Sequence, residues 1–135
     1  MEKEKTLIIL KPDAVKRRLM GNIIAKIENK NYTIEFMSMK TLTEKELNYH
    51  YAEHKDKSFF TDLLQYMTSS PVVIMVVSGD NVIMGMRKLT GATDPLEADA
   101  GSIRGAFAST KNENLIHASD SPESAEREIT FFLDQ

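Results

Sequence analysis

Cysteine is absent from this 135-residue chain, which excludes a disulfide framework and thiolate metal ligation. Positive charge is not in excess either, since the formal net charge is −3. A general nucleic-acid or anionic-membrane surface is therefore not implied, although a local basic pocket stays open. No apolar run approaches the length of a membrane span, and the charged start Met1-Glu2-Lys3-Glu4-Lys5 lacks a signal-peptide pattern. The expected location is the cytoplasm. Neither Gly-x-x-x-x-Gly-Lys-Ser/Thr nor Gly-x-Gly-x-x-Gly occurs, so two familiar glycine-rich phosphate cradles are excluded. Repeats, linkers and low-complexity segments are missing as well. What is present is an ordinary globular composition, 41% hydrophobic and 27% charged. The length predicts one domain, residues 1–135, with a single sizeable core.

Hydrophobic patterning orders that domain. Residues 6–10 form a continuous apolar run, the pattern of a buried strand, and Lys11 stands at its tip. Met20, Ile23, Ile24 and Ile27 recur at helical spacing. Residues 33–41 read as a second strand. Thr43-Glu44-Lys45-Glu46 is a capping box that starts a helix carrying Leu47 and Tyr51. Phe60, Leu63, Leu64 and Met67 mark another helix. Residues 72–77 are the most apolar strand, and Val82, Ile83, Met86 and Leu89 form a helix stopped by Gly91. Residues 92–113 lack clear periodicity and are expected to be a long loop, a length usually tied to function or disorder. A short strand, Leu115-Ile116, then delivers His117, and Ser121-Pro122 caps the last helix. The order β-α-β-(αα)-β-α-loop-β-α predicts an α/β (α+β) chain of the ferredoxin-like split β-α-β plan. Its four-stranded antiparallel sheet would be covered by helices. A Rossmann-type parallel sheet is the alternative.

One candidate site lies at the last strand. His117 precedes a helix N-terminus, where anions and phosphate are favoured, and Glu128 lies two turns along that helix. An imidazole there is a candidate nucleophile or base for phosphate chemistry. Taken alone, the stretch reads more simply as a buried histidine satisfied by a backbone carbonyl. His50-Tyr51-Ala52-Glu53-His54 matches the inverted zinc-protease pattern His-x-x-Glu-His. Two imidazoles at i and i+4 can share a zinc ion, but a solvated helix face explains the same residues and no third ligand stands out. Phe59 and Leu63 could clamp a flat ring or simply join the core. Lys11, Lys57, Arg87 and Arg104 matter as a set only if the fold collects them at His117.

Together these residues resemble the nucleoside diphosphate kinase family, nearly end to end. Asn114-Leu115-Ile116-His117-Ala118-Ser119-Asp120-Ser121 is similar to the family's active-site signature. Thr6–Val15, Tyr51, Phe59-Phe60, Ser70-Pro71-Val72-Val73, Gly91-Ala92-Thr93-Asp94-Pro95 and Ser102-Ile103-Arg104-Gly105 match further family segments in order. The resemblance implies ping-pong transfer of a γ-phosphoryl group between nucleoside tri- and diphosphates through a phosphohistidine, with Mg²⁺ on the phosphates. It also implies broad base and sugar tolerance and a hexameric or tetrameric homo-oligomer.

Carried onto this chain, the resemblance makes His117 the nucleophile, with Glu128 orienting its ring and Ser119 bonding that carboxylate. Lys11 reaches the sugar hydroxyl and the transferring phosphate, and Tyr51 lies near the γ-phosphate. Arg87, Thr93 and Arg104 bind phosphates, Asn114 holds the ribose, and Phe59 and Leu63 hold the base. Lys57 and Ser58 stand where the family usually has arginine and proline, so Lys57 keeps the charge without the bidentate fork. Lys111 and Asn112 stand where many members carry an apolar residue and a glycine, which changes the base side of the site. Two other classes are a non-catalytic nucleotide-binding module on the same fold and an RNA-binding ferredoxin-like domain. The matched His117, Lys11 and Arg104 argue against the first. Against the second, the second strand offers only Phe36 and no Lys/Arg-Gly-Phe/Tyr motif occurs.

Overall fold

The computed structural model of the chain describes residues 4–51 and 60–133. Four strands form one sheet: β1 (Glu4–Leu10), β2 (Thr33–Lys40), β3 (Val72–Gly79) and β4 (Ile116–Ala118). Their order is β2-β3-β1-β4. Every neighbouring pair is antiparallel, with Ile9 opposite Ile74 on one side and opposite His117 on the other. The sheet and its covering helices are the α+β, split β-α-β arrangement that the element order predicts.

Side chains on a strand alternate between faces, and the central strands β1 and β3 are covered on both. Ile8 and Leu10 point into one cluster with Val73, Met75 and Val77. Leu7 and Ile9 point into a second with Val72, Ile74 and Val76. Burial on two faces is why the strands read as unbroken apolar runs rather than alternating ones. The first layer receives helix α2 (Met20–Asn29) through Ile23 and Ile27, and helix α5 (Val82–Thr90) through Val82, Ile83 and Met86. The second receives α3 (Glu44–His50) through Leu47, α4 (Phe60–Thr68) through Met67, and α7 (Pro122–Leu133) through Phe132. Two single-turn helices complete the described elements: α1 (Pro12–Lys16) and α6 (Ile103–Phe107).

Local chemistry sets the helix ends that matter for the site. Thr43 accepts the Glu46 N–H at 3.2 Å, and Glu46 accepts the Thr43 N–H at 3.0 Å. This is the predicted capping box, and it fixes where α3 begins and so where His50 and Tyr51 emerge at its far end. Ser121 accepts the Ser124 N–H at 3.1 Å at the start of α7. The stretch 92–113 departs from the expected structureless loop, because α6 interrupts it. Ser102 caps α6 by accepting the Gly105 N–H at 3.0 Å. Five residues are too few for an amphipathic period to show.

Candidate active site

The site is built where β4 ends. Ile116 and Ala118 face the first core layer, so strand alternation turns His117 between them to the opposite face. There it meets α3 and α7. Glu128, on the second turn of α7, places Oε1 3.0 Å from Nε2 of His117. Ser119, fully buried, donates its hydroxyl to the same oxygen at 2.7 Å and accepts the Leu7 N–H at 3.1 Å. Burial works to raise the Glu128 carboxyl, but the hydrogen bonds from His117 and Ser119 outweigh it and hold the carboxyl below its ordinary range. An ionised Glu128 keeps the proton on Nε2 and leaves Nδ1 as the unprotonated ring nitrogen.

His50 closes the other side of the imidazole. Its ring meets the His117 ring edge-on, with centroids 4.6 Å apart, and it also contacts Tyr51 and Phe132. Burial, reinforced by His117, drives the His50 pKa down to about 3, so His50 is neutral at physiological pH. α3 ends at His50, and the Glu53 and His54 of the zinc-protease pattern lie outside the described residues. His50, His117 and Glu128 do bring ligand atoms within 4.8 Å of one another, but Glu128 is already committed to His117 and Ser119.

Cations surround a cavity of about 250 Å³ over His117, lined also by Tyr51, Arg87, Thr93, Arg104, Asp120 and Arg127. Tyr51 and Thr93 also line a second cavity, of about 470 Å³, whose wall includes Lys11, Leu63, Tyr66, Lys111 and Asn112. Of the residues named from sequence, Arg87, Thr93 and Arg104 line the first cavity, and Lys11 and Leu63 line the second. Lys11 donates to Asn114 Oδ1 at 3.0 Å. Burial, with Arg104 nearby, lowers the Lys11 pKa to about 8, against the opposing pull of Asp13. Burial raises the Tyr51 hydroxyl pKa, so it stays protonated. Phe59, Lys57 and Ser58 lie outside the described residues.

Arg104 has a structural grip as well as a place on the cavity wall. Its guanidinium donates to the backbone carbonyls of Asn114 at 3.3 Å, Gly91 at 3.1 Å and Ile116 at 2.6 Å. Gly91 offers its carbonyl from a left-handed backbone, φ 92°, that glycine alone adopts freely. Burial and the neighbouring Arg87 lower the Arg104 pKa to about 10, which leaves it charged at neutral pH.

Sequence reasoning did not single out Asp13, Tyr66, Asp120 or Arg127, and it noticed His50 only as a zinc candidate. The one signal for Asp13 was an acid two residues beyond the strand-tip lysine. It is buried, and Oδ2 accepts the Leu115 N–H at 3.0 Å. Leu115 itself is fully buried at φ 75°. A branched residue in that region stores about 1–3 kcal/mol of strain, and such strain persists only where surroundings over-determine it.

Known proteins resemble this chain over nearly its whole length. The chain matches the family described as Nucleoside diphosphate kinase over residues 4–135. It is 53% identical over 132 residues to the nucleoside diphosphate kinase of Methanothermobacter thermautotrophicus, covering 98% of this chain and 88% of that one. Against that of Streptomyces avermitilis the identity is 52% over 131 residues, covering 96% of each. The crystal structure of the apo nucleoside diphosphate kinase from Encephalitozoon cuniculi superposes with a TM-score of 0.94 at 36% identity. That match covers 98% of this chain and 90% of the other.

Proposed function

The chain belongs to the nucleoside diphosphate kinase family, and we propose that His117 is the residue on which its phosphoryl transfer runs. Nδ1 attacks the γ-phosphorus of a nucleoside triphosphate. A P–N bond forms, the P–O bond to the β-phosphate breaks, and the diphosphate leaves. A second nucleoside diphosphate enters the same cavity, its terminal oxygen takes the phosphoryl group, and His117 is restored. The observation that carries this reading is the His117–Glu128 hydrogen bond at 3.0 Å beneath a cavity walled by arginines. The carboxylate holds the ring in one tautomer and balances the positive charge the ring gains as Nδ1 bonds phosphorus. Phosphoryl transfer asks the protein chiefly for positioning and charge stabilisation, and this site has both.

The remaining roles follow the compartments. Arg87, Thr93 and Arg104 face the phosphates, with Lys57 assigned to the same task. Lys11 bridges the sugar and the transferring group, and Asn114, its hydrogen-bond partner, takes the ribose. Leu63 and Phe59 hold the base; stacking on an aromatic face tolerates every base, because each has a π-face. Tyr51, with its proton retained, donates near the γ-phosphate. Mg²⁺ fits as a passenger on the nucleotide. Beside Glu128, Asp120 is the one carboxylate among the described residues lining the cationic cavity, and three arginines there disfavour a bare cation. Bound there with the nucleotide, Mg²⁺ would supply charge neutralisation on the phosphate oxygens, and Asp120 is the cavity carboxylate that would be available to hold it.

We further propose that residues 1–135 form one kinase domain, located in the cytoplasm, that assembles as a homo-oligomer, a hexamer or tetramer. No described helix is long and apolar enough to cross a membrane. The edge strand β2 exposes Phe36, Met37 and Met39 (39%, 55% and 53%), an apolar edge of the kind that pairing between copies covers. The activity is tested by exchange of phosphate between GTP and ADP, with brief labelling by γ-labelled ATP alongside. Acid-labile, alkali-stable label on the protein that is lost in His117→Ala is expected. Label that survives in His117→Ala refutes the role of His117.

A further inference from the structure

The buried carboxylate of Asp13 belongs to no step described above, yet it touches the two parts of the site that must stay in register. Oδ2 accepts the Leu115 N–H at 3.0 Å, and Oδ1 accepts the Tyr66 hydroxyl. Leu115 lies two residues before His117 and holds a left-handed backbone, φ 75°, that a buried branched side chain does not choose for itself. Its peptide is fixed from every side. Lys11 donates its backbone N–H to the Leu115 carbonyl at 2.8 Å, and Arg104 grips the carbonyls immediately before and after. Among the described residues, Asp13 is the acceptor of the Leu115 N–H. Tyr66 sits on α4 and lines the base-side cavity, so one carboxylate joins the helix beside the nucleotide to the peptide that aims the imidazole.

We infer that Asp13 is a positioning residue for phosphoryl transfer: it holds the Leu115 peptide that sets the direction of His117 and, through Tyr66, ties that peptide to the nucleotide-binding helix. The inference rests on His117 being the nucleophile. Asp13 stands behind the Leu115 backbone rather than in the phosphate compartment. Its loss should therefore lower the rate of the chemical step and leave nucleotide binding largely intact.

The test is rapid-quench labelling by γ-labelled ATP together with steady-state kcat and KM, in the full-length chain and its variants. Asp13→Ala is expected to slow labelling of His117 by about 100-fold, the scale of a reacting group displaced by roughly 1 Å, with KM changed by less than about threefold. Asp13→Asn keeps an oxygen to accept the Leu115 N–H and offers an N–H to the Tyr66 oxygen. It is expected to recover the rate to within about tenfold of wild type, the loss of a charged partner alone. Asp13→Ala labelling at the wild-type rate would overturn the inference. So would Asp13→Asn as slow as Asp13→Ala, which would make charge and not geometry the requirement. If Asp13→Ala does not fold at the assay temperature, Tyr66→Phe decides, because it deletes one hydroxyl. A labelling rate about three- to tenfold lower at unchanged KM is expected for one lost hydrogen bond, and a wild-type rate overturns the tie. Failure of the underlying reading looks different: wild-type protein then takes no label, or His117→Ala retains it.

Discussion

Glutamine in place of Glu128 isolates the charge behind His117. The two side chains have nearly the same shape, and the glutamine oxygen still accepts from Nε2 and from Ser119 Oγ. What disappears is the negative charge 3.0 Å from the ring. At an effective dielectric near 20, two unit charges at that distance interact by about 5 kcal/mol. The ring carries only part of a charge in the transition state, so about 2–3 kcal/mol is at stake, in line with hydrogen bonds to charged groups generally. At 1.36 kcal/mol per decade this is roughly a 30- to 150-fold fall in kcat. KM should hold, since Glu128 supports the imidazole and is not assigned to the nucleotide. The assay is steady-state phosphate transfer from ATP to a second nucleoside diphosphate, with thermal unfolding measured beside it to show that the variant is folded. A kcat within about threefold of wild type, or a loss that falls wholly in KM, would refute the reasoning.

Other expectations follow from the same geometry. With the Lys11 pKa near 8, kcat/KM should fall as pH rises through about 8 and the ammonium is lost. The kcat limb should lie higher, because bound phosphates favour the charged form; a profile flat to high pH contradicts this. The stability sign is opposite. Between about 8 and the ordinary 10.5, the unfolded chain holds a proton that the folded chain lacks. The Lys11 contribution to stability therefore rises with pH across that window. Arg104→Lys keeps the charge but cannot bridge three carbonyls with a planar fork. It should lose about 1.5–3 kcal/mol of stability in denaturant titration, and unchanged stability with only KM raised would reduce Arg104 to a phosphate ligand. Thr43→Ala removes the acceptor of the α3 cap and should cost about 0.5–2 kcal/mol, read by thermal unfolding.

Patterns confined to a few neighbouring residues were legible in the sequence. The apolar runs at β1 and β3 mark strands because both faces of those strands are covered. The Thr43–Glu46 capping box and Ser121 cap are spelled out within four residues. The two single-turn helices were not legible: α1 and α6 hold five residues each, less than two turns and too short for an amphipathic period to show. Contacts between distant segments were hidden for a different reason. The Asp13–Leu115 hydrogen bond spans 102 positions. Nothing around Asp13 announces that its carboxylate will satisfy a backbone amide on another strand's approach. Arg104 alone reads as a surface charge and becomes a phosphate ligand only through the family resemblance, while in the fold three of its five N–H donors bond backbone carbonyls. His50 drew notice only through the zinc pattern, because its contact with the His117 ring joins residues far apart in the chain.

The position of phosphate on the enzyme tests the central claim most directly. Phosphorylated protein, prepared with excess nucleoside triphosphate and freed of nucleotide, can be examined by phosphorus and long-range proton–nitrogen NMR. Because Glu128 engages Nε2 of His117, phosphate is expected on Nδ1 of His117. Phosphate on Nε2, or on any other residue, would contradict the account.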